Sequence, residues 1–225
     1  MFLTGSLVNA ATIVVGALLG VFCGKFLPQR VKDTLIHVCA LSAMGAGIPG
    51  LMNSQKPFVP IISLVLGALI GELLDIDAAV NRLGDQLQGL FAGHGRISEG
   101  FVTATLVFAV GAMAIMGALN SGLNHDHSIL YAKSAIDGVS AVAFASTLGI
   151  GVAFSALPVF VLQGSIAFLA AYIAPLLREA VMAEITFTGS LMIVAISLNM
   201  LGVCKVKVLN LVPALIFPVI LCQFM

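Results

Sequence analysis

The chain is a succession of apolar runs separated by short polar breaks. The runs read as membrane-crossing helices at Leu3–Gly24, Leu35–Met52, Pro57–Leu74, Phe101–Leu119, Lys133–Phe154, Leu157–Ala174, Phe187–Val203 and Val208–Phe224. A helix crosses the hydrocarbon layer with about 20 apolar residues, and most of the runs approach that length. The last is short and holds Pro213 and Pro218, so it is expected to bend or insert only in part. The pattern predicts an all-α fold, a polytopic membrane helix bundle of seven or eight spans, as a single integral membrane domain over 1–225. Met1 begins an apolar stretch with no basic residue before Lys25, which reads as a first span rather than a cleavable signal.

One stretch breaks the pattern. In "IDAAVNRLGDQLQGLF" the residues Ile76, Ala79, Val80, Leu83, Leu87, Leu90 and Phe91 fall on one helical stripe, with Asn81, Arg82, Asp85, Gln86 and Gln88 opposite. This is an amphipathic helix too polar to cross, expected to lie on the inner interface. "GHGRISEG" (Gly93–Gly100) follows as a turn, with His94 a solvated loop residue. The linker, 76–99, separates a three-helix half at 1–75 from a second at 100–175, and 176–225 supplies the C-terminal spans. The halves share weak likenesses: "VVGALLG" with "AVGAMAIMG", and "FVPIISLVLGALIG" with "ALPVFVLQGSIAFL". Three spans, an interfacial helix and three more spans make a 3+3 inverted repeat, a plan of secondary transporters.

Composition agrees with the pattern. Of 225 residues, 60% are hydrophobic and 9% charged, and mean hydropathy is +1.14. Soluble domains carry about 25% charged residues. Net charge is zero, which offers nucleic acid nothing. Cys23, Cys39, Cys204 and Cys222 lack metal-ligand spacing and read as small buried hydrophobes. With the N-terminus outside and eight spans, Lys25, Arg30, Lys32, Arg82, Arg96, Lys205 and Lys207 fall inside, against Lys56, Lys133 and Arg178 outside. The positive-inside rule favours that orientation.

Polarity concentrates in "GLNHDHSILYAKSAIDGVS", Gly122–Ser140. His125, Asp126 and His127 belong to a connecting loop, and adjacent ligands of this kind make poor metal geometry. Lys133, Asp137 and Ser140 stand at i, i+4 and i+7 on one helix face that Phe144 continues. Asp137 sits inside an apolar run, about one turn below the start of the predicted span, where a charge costs a few kcal/mol and must face the bundle or a wet cavity. Lys133 is its nearest partner. The pair either neutralises itself and fixes packing, or lines a polar pathway. Other polar residues inside spans are Asn9, Thr12, Glu72, Asn120, Gln163, Ser165, Ser197, Asn199 and Asn210. Each alone reads as a helix–helix hydrogen bond; together they suit a cavity lining. No Gly-x-Ser-x-Gly, His-Glu-x-x-His or phosphate-binding Gly-rich loop is present, so neither an enzyme nor a cofactor is expected.

The motifs "GSLVNAATIVVGALLG", "SLVLGALIGELLDID", "GFVTATLVFAVGAMAIMGALNSGL" and "DHSILYAKSAIDGVSAVAFASTLGIGVAFSALPV" resemble the DUF554 family of bacterial multi-pass membrane proteins. The resemblance covers nearly the whole chain. It implies an inner-membrane protein with a transporter-like plan and names no substrate. The family pattern Ser-Ile-Leu-x-Ala-Lys-Ser-x-x-Asp falls on Ser128, Ile129, Leu130, Ala132, Lys133, Ser134 and Asp137.

Two functions remain open at this point. One is a secondary transporter or channel for a small solute or ion, with the Lys133–Asp137 pair at the outer mouth of a cavity. Its pathway would draw on Lys133, Asp137, Ser140, Ser134, Ser128, Asn120, Asn9, Gln163 and Asn199. The other is a non-transporting scaffold or partner of an envelope complex, with a dry interior in which the pair satisfies itself. The expected partners are the lipid bilayer, an unidentified small solute or ion, and further copies of the chain in a homo-oligomer.

Overall fold

The computed structural model describes residues 3–52, 54–79, 82, 97–109 and 112–224. The fold is a helix bundle, with no strand among the described residues. The helices are α1 (Thr4–Gly24), α2 (Gln29–Gly47), α3 (Phe58–Leu74), α4 (Ile97–Ala109), α5 (Ala112–Asn124), α6 (Ser128–Leu148), α7 (Gly151–Phe154), α8 (Ala156–Phe168), α9 (Ala170–Ile173), α10 (Glu179–Met200) and α11 (Phe217–Leu221). Tight 3₁₀ segments follow α2 (Ile48–Met52) and precede α11 (Val208–Leu215). Leu7, Leu18, Leu69, Val139 and Leu157 are exposed on outer faces, as expected where the solvent is lipid.

Local chemistry sets the ends. Pro28 precedes α2, and Pro60 sits in the first turn of α3, where a missing N–H breaks no bond. Gly149, at φ +80°, stops α6 and donates its N–H to Ala145. Gly202, at φ +72°, closes α10: its N–H goes to Asn199 O, and that of Val203 goes to Leu198 O. That is the paired bonding of a glycine-terminated helix.

Among the described residues, four helical segments are long and apolar enough to cross a membrane alone: Thr4–Gly24, Gln29–Met52, Gly151–Phe168 and Glu179–Met200. The pair α4–α5 makes a fifth if counted as one span, bent by 60°. The expected fourth span is therefore broken rather than straight. α3 is shorter, at 17 residues, and α6 carries the charges of Lys133 and Asp137. The expected last span is not one continuous α-helix. Pro213 lies in the 3₁₀ segment and Pro218 in the first turn of α11, and each removes a backbone donor. The amphipathic linker lies almost wholly outside the described residues, as does His94; 76–79 are helical.

The most extensive packing joins α1 to α6, which run parallel. Gly16, Gly20 and Gly24 recur every fourth residue on α1. A Cβ at these positions would strike the carbonyl oxygens of Gly138, Val142 and Ser146 in turn. Only glycine allows this approach, the small-residue seam typical of helices packed in lipid. α2 packs on α10 and α6, and α3 on the 3₁₀ segment at Val208–Leu215. An exchange of the two halves would need α4–α5 to pack on α2 as α1 packs on α6. Among the described residues no comparable contact joins them.

Candidate functional site

The tight α1–α6 seam brings polar side chains together below the surface. Lys133 Nζ donates to Asp137 Oδ1 at 2.8 Å and to Oδ2 at 2.6 Å. Asn9 Nδ2, from α1, donates to Asp137 Oδ2 at 3.1 Å and to Gln163 Oε1, from α8, at 3.3 Å. Asn9 and Gln163 have no exposed surface, and Lys133 and Asp137 are 7% and 4% exposed. Three helices thus contribute to one charge-neutral cluster. Ser134 is buried beside it and returns its hydroxyl to Leu130 O. Thr12 bonds Asn9 O at 2.8 Å.

The cluster lies deeper than the sequence suggests. α6 begins at Ser128, five residues before the predicted span. Asp137 is therefore about 14 Å along the helix axis from that start, at 1.5 Å per residue. That is the middle of the 21-residue helix.

Each amide's orientation is set by its neighbour. An ionised carboxylate only accepts, so Asn9 must turn its NH₂ to Asp137. That same NH₂ fixes Gln163 with its carbonyl toward Asn9. Two polar atoms are left over: Asn9 Oδ1 and Gln163 Nε2 are buried with no hydrogen-bond partner. Ser6 Oγ, one turn up α1, is a third.

The other predicted pathway residues divide. Ser140 is half-buried at the edge of the buried face, which runs through Ala141 and Phe144 instead. Ser128 is exposed at the start of α6, where its N–H donates to Asp126 Oδ1. Asn120 Nδ2 donates to Asp126 Oδ2 at 3.0 Å, which places it in the loop network and not in the cluster. The backbone N–H of Ser128 is the main cause holding the Asp126 carboxyl below its ordinary pKa. His127 shares a bond of 2.7 Å with Ser121. Asn199 goes elsewhere altogether: it accepts from Val206 N and Cys204 Sγ and donates to Val206 O, clamping the turn after α10.

One polar centre, at Glu184, escaped the sequence reading, and a second joins Glu72 and Asn210, which the sequence showed only as separate polar residues. Glu184, on α10, is fully buried and accepts from Ser54 Oγ, Gln55 N and Lys56 N at 2.6–2.8 Å. It ties down the segment before α3. The signal was available, since an isolated acid stands near a long apolar run, but the predicted span began at Phe187 and left it outside. At the end where α3 and α10 finish, Glu72 binds Lys207 at 2.6 Å and Asn210 at 2.5 Å, and the Glu72 bond is the chief cause raising the Lys207 pKa. A groove of about 610 Å³ opens beside it, lined by Asp77, Glu99, Thr103, Asn199, Lys205 and Lys207 among others. No group of three or more His, Cys, Asp or Glu able to hold a metal occurs among the described residues.

The family model for "Protein of unknown function (DUF554)" matches residues 4–223. The chain belongs to the DUF554 family. It is 30% identical over 218 residues to "Uncharacterized membrane protein YdfK" of Bacillus subtilis (strain 168), covering 95% of this chain and 93% of that protein. It is 31% identical over 218 residues to "Uncharacterized protein YqgA" of Escherichia coli (strain K12), covering 94% and 93%. No solved structure matches. The family therefore agrees with a membrane-embedded helical protein and assigns no residue a role.

Proposed function

We propose that this membrane protein is a small secondary transporter or channel of the bacterial inner membrane, with the Asn9–Lys133–Asp137–Gln163 cluster on its path. The supporting observation is a buried ion pair, mid-helix on a three-helix seam, flanked by amide groups whose hydrogen-bonding capacity is unfilled. Charges inside a bilayer are costly and in general mark substrate or ion pathways. Unfilled buried polar atoms are also costly, at about 1–3 kcal/mol each. A site that a passing solute completes accounts for both. In this reading the chain is not an enzyme. It works in the bilayer on a small solute or ion, with its N-terminus outside. Copies of the chain are free to associate through their lipid-facing surfaces.

One observation favours the scaffold reading. Lys133 closes on both oxygens of Asp137, so the pair is satisfied within α6. The two readings diverge in one experiment. Purified protein is reconstituted in proteoliposomes and screened for flux of amino acids, organic acids, metal cations, protons and uncharged solutes. Asp137→Asn runs beside wild type, with folding checked by circular dichroism. Flux in wild type that falls at least tenfold in folded Asp137→Asn supports the transport path. Flux of no substrate leaves the cluster as a packing device.

A further inference from the structure

The Asn9–Gln163 contact has an unusual form. Two amides facing one another can close a ring of two hydrogen bonds, each donating to the other's carbonyl. Here one bond is made, from Asn9 Nδ2 to Gln163 Oε1 at 3.3 Å, and the reciprocal pair stays open. Gln163 Nε2 and Asn9 Oδ1 are a buried donor and a buried acceptor on adjoining amides, both without a partner. Neither amide can be reversed to remove the mismatch, because the Asp137 carboxylate holds Asn9 and Asn9 holds Gln163. Lys133 adds to the donors: an ammonium has three N–H groups, and its two bonds both end on Asp137.

The charge of the cluster narrows the ligand. One ammonium and one carboxylate cancel at contact distance. An entering ion would bring an unbalanced charge to a buried, charge-neutral cluster, which is strongly disfavoured. An uncharged molecule carrying both an acceptor oxygen and an N–H or O–H meets the open pair without that cost. Its oxygen would accept from Gln163 Nε2, and its own hydrogen would go to Asn9 Oδ1. A primary amide or a small polyol has this complement of groups.

We infer that the open Asn9–Gln163 pair is a binding site for a small uncharged solute of the amide or polyol class. This rests on the transport reading and specifies its substrate. The test uses the full chain in proteoliposomes. Stopped-flow light scattering follows entry of urea, acetamide and glycerol. Currents on a solid-supported membrane follow Na⁺, K⁺, protons and small organic acids on the same preparation. The expected result is solute entry without current in wild type. Entry falls about tenfold or more in Gln163→Glu and Gln163→Leu, and stays at the wild-type rate in Ser165→Ala, whose exposed hydroxyl bonds Val161 O on α8. Ion currents without solute entry overturn this inference and leave the transport reading standing. Entry of water alone overturns it, as does solute entry undiminished in folded Gln163 variants. Flux of neither kind overturns both readings. The wild-type comparison of uncharged with charged solutes decides the matter even if a Gln163 variant does not fold.

Discussion

Lys133 and Asp137 are buried together on α6, 2.6 Å apart. A buried pair loses hydration on both sides and recovers it only through mutual contact, so removing one partner leaves a stranded charge. Such truncations cost about 3–5 kcal/mol, whereas apolar replacement of both partners is often near neutral. Lys133→Ala is therefore expected to lower the midpoint of unfolding in mixed detergent sharply. Lys133→Met combined with Asp137→Leu is expected to restore most of it. The transport reading adds that the restored double variant carries no flux, so stability and function separate at these two residues. If the double variant is as unstable as Lys133→Ala, the ion pair is not the source of the loss. Asp137 was legible in the sequence because a charge inside an apolar run has few destinations. Its partner Lys133, one turn away, was legible too; the partners from other helices were not. Asn9 and Gln163 were visible only as polar residues in spans, and 128 and 154 positions separate Asn9 from Asp137 and Gln163. Asn199 looked the same in sequence, yet its side chain was captured by the turn five to seven residues beyond it, where Cys204 Sγ and the Val206 backbone reach it first.

At the level of elements, the α1–α6 seam holds the site together. Its close approach depends on Gly16, Gly20 and Gly24, since each added Cβ would meet a carbonyl of α6. Gly20→Val is expected to separate the helices and destabilise the protein by about 1–3 kcal/mol, the usual scale of overpacking. It should also weaken the Asn9–Asp137 bond without touching either residue. Cysteine cross-linking between α1 and α6, compared before and after the substitution, checks the separation; an unchanged cross-linking yield argues against it. The four-residue spacing of these glycines is readable in the sequence, but the partner helix is not. Hydropathy also misplaced helix ends. α2 begins at Gln29, and its first turns hold Arg30, Lys32 and Asp33, polar residues that a search for apolar runs passes over. α6 begins five residues early for the same reason, and that shift puts Asp137 in the middle of the helix rather than one turn from its start. The failure of a regular last span was foreseeable from Pro213 and Pro218, because proline denies a helix its internal donors.

For the whole molecule, the parallel run of α1 and α6 constrains how the chain threads the bilayer. Gly5 lies against Leu130 and Gly24 against Ser146, so the two helices start on the same side. If both cross, residues 25–127 must cross an odd number of times to return. Three crossings result if α2, the 17-residue α3 and the α4–α5 pair, despite its 60° bend, each cross once. The loop at His125–His127 then shares the side of the N-terminus, and the turn at Cys204–Lys207 after α10 lies on the opposite side. By the positive-inside rule, the excess of Lys and Arg on that second side predicts that it faces the cytoplasm. A cysteine-free variant with one new cysteine checks this in intact cells, using a membrane-impermeant maleimide. Asn124→Cys, exposed at the end of α5, is expected to label from outside, and Lys205→Cys only after lysis. Both labelling from outside would mean that α10 does not cross as a single span. Asn124→Cys protected and Lys205→Cys labelled would invert the protein and put its basic residues outside, contrary to the rule. The inverted result would also turn the ends where α1 and α6 begin, and with them Asn9 and Asp137, toward the other compartment.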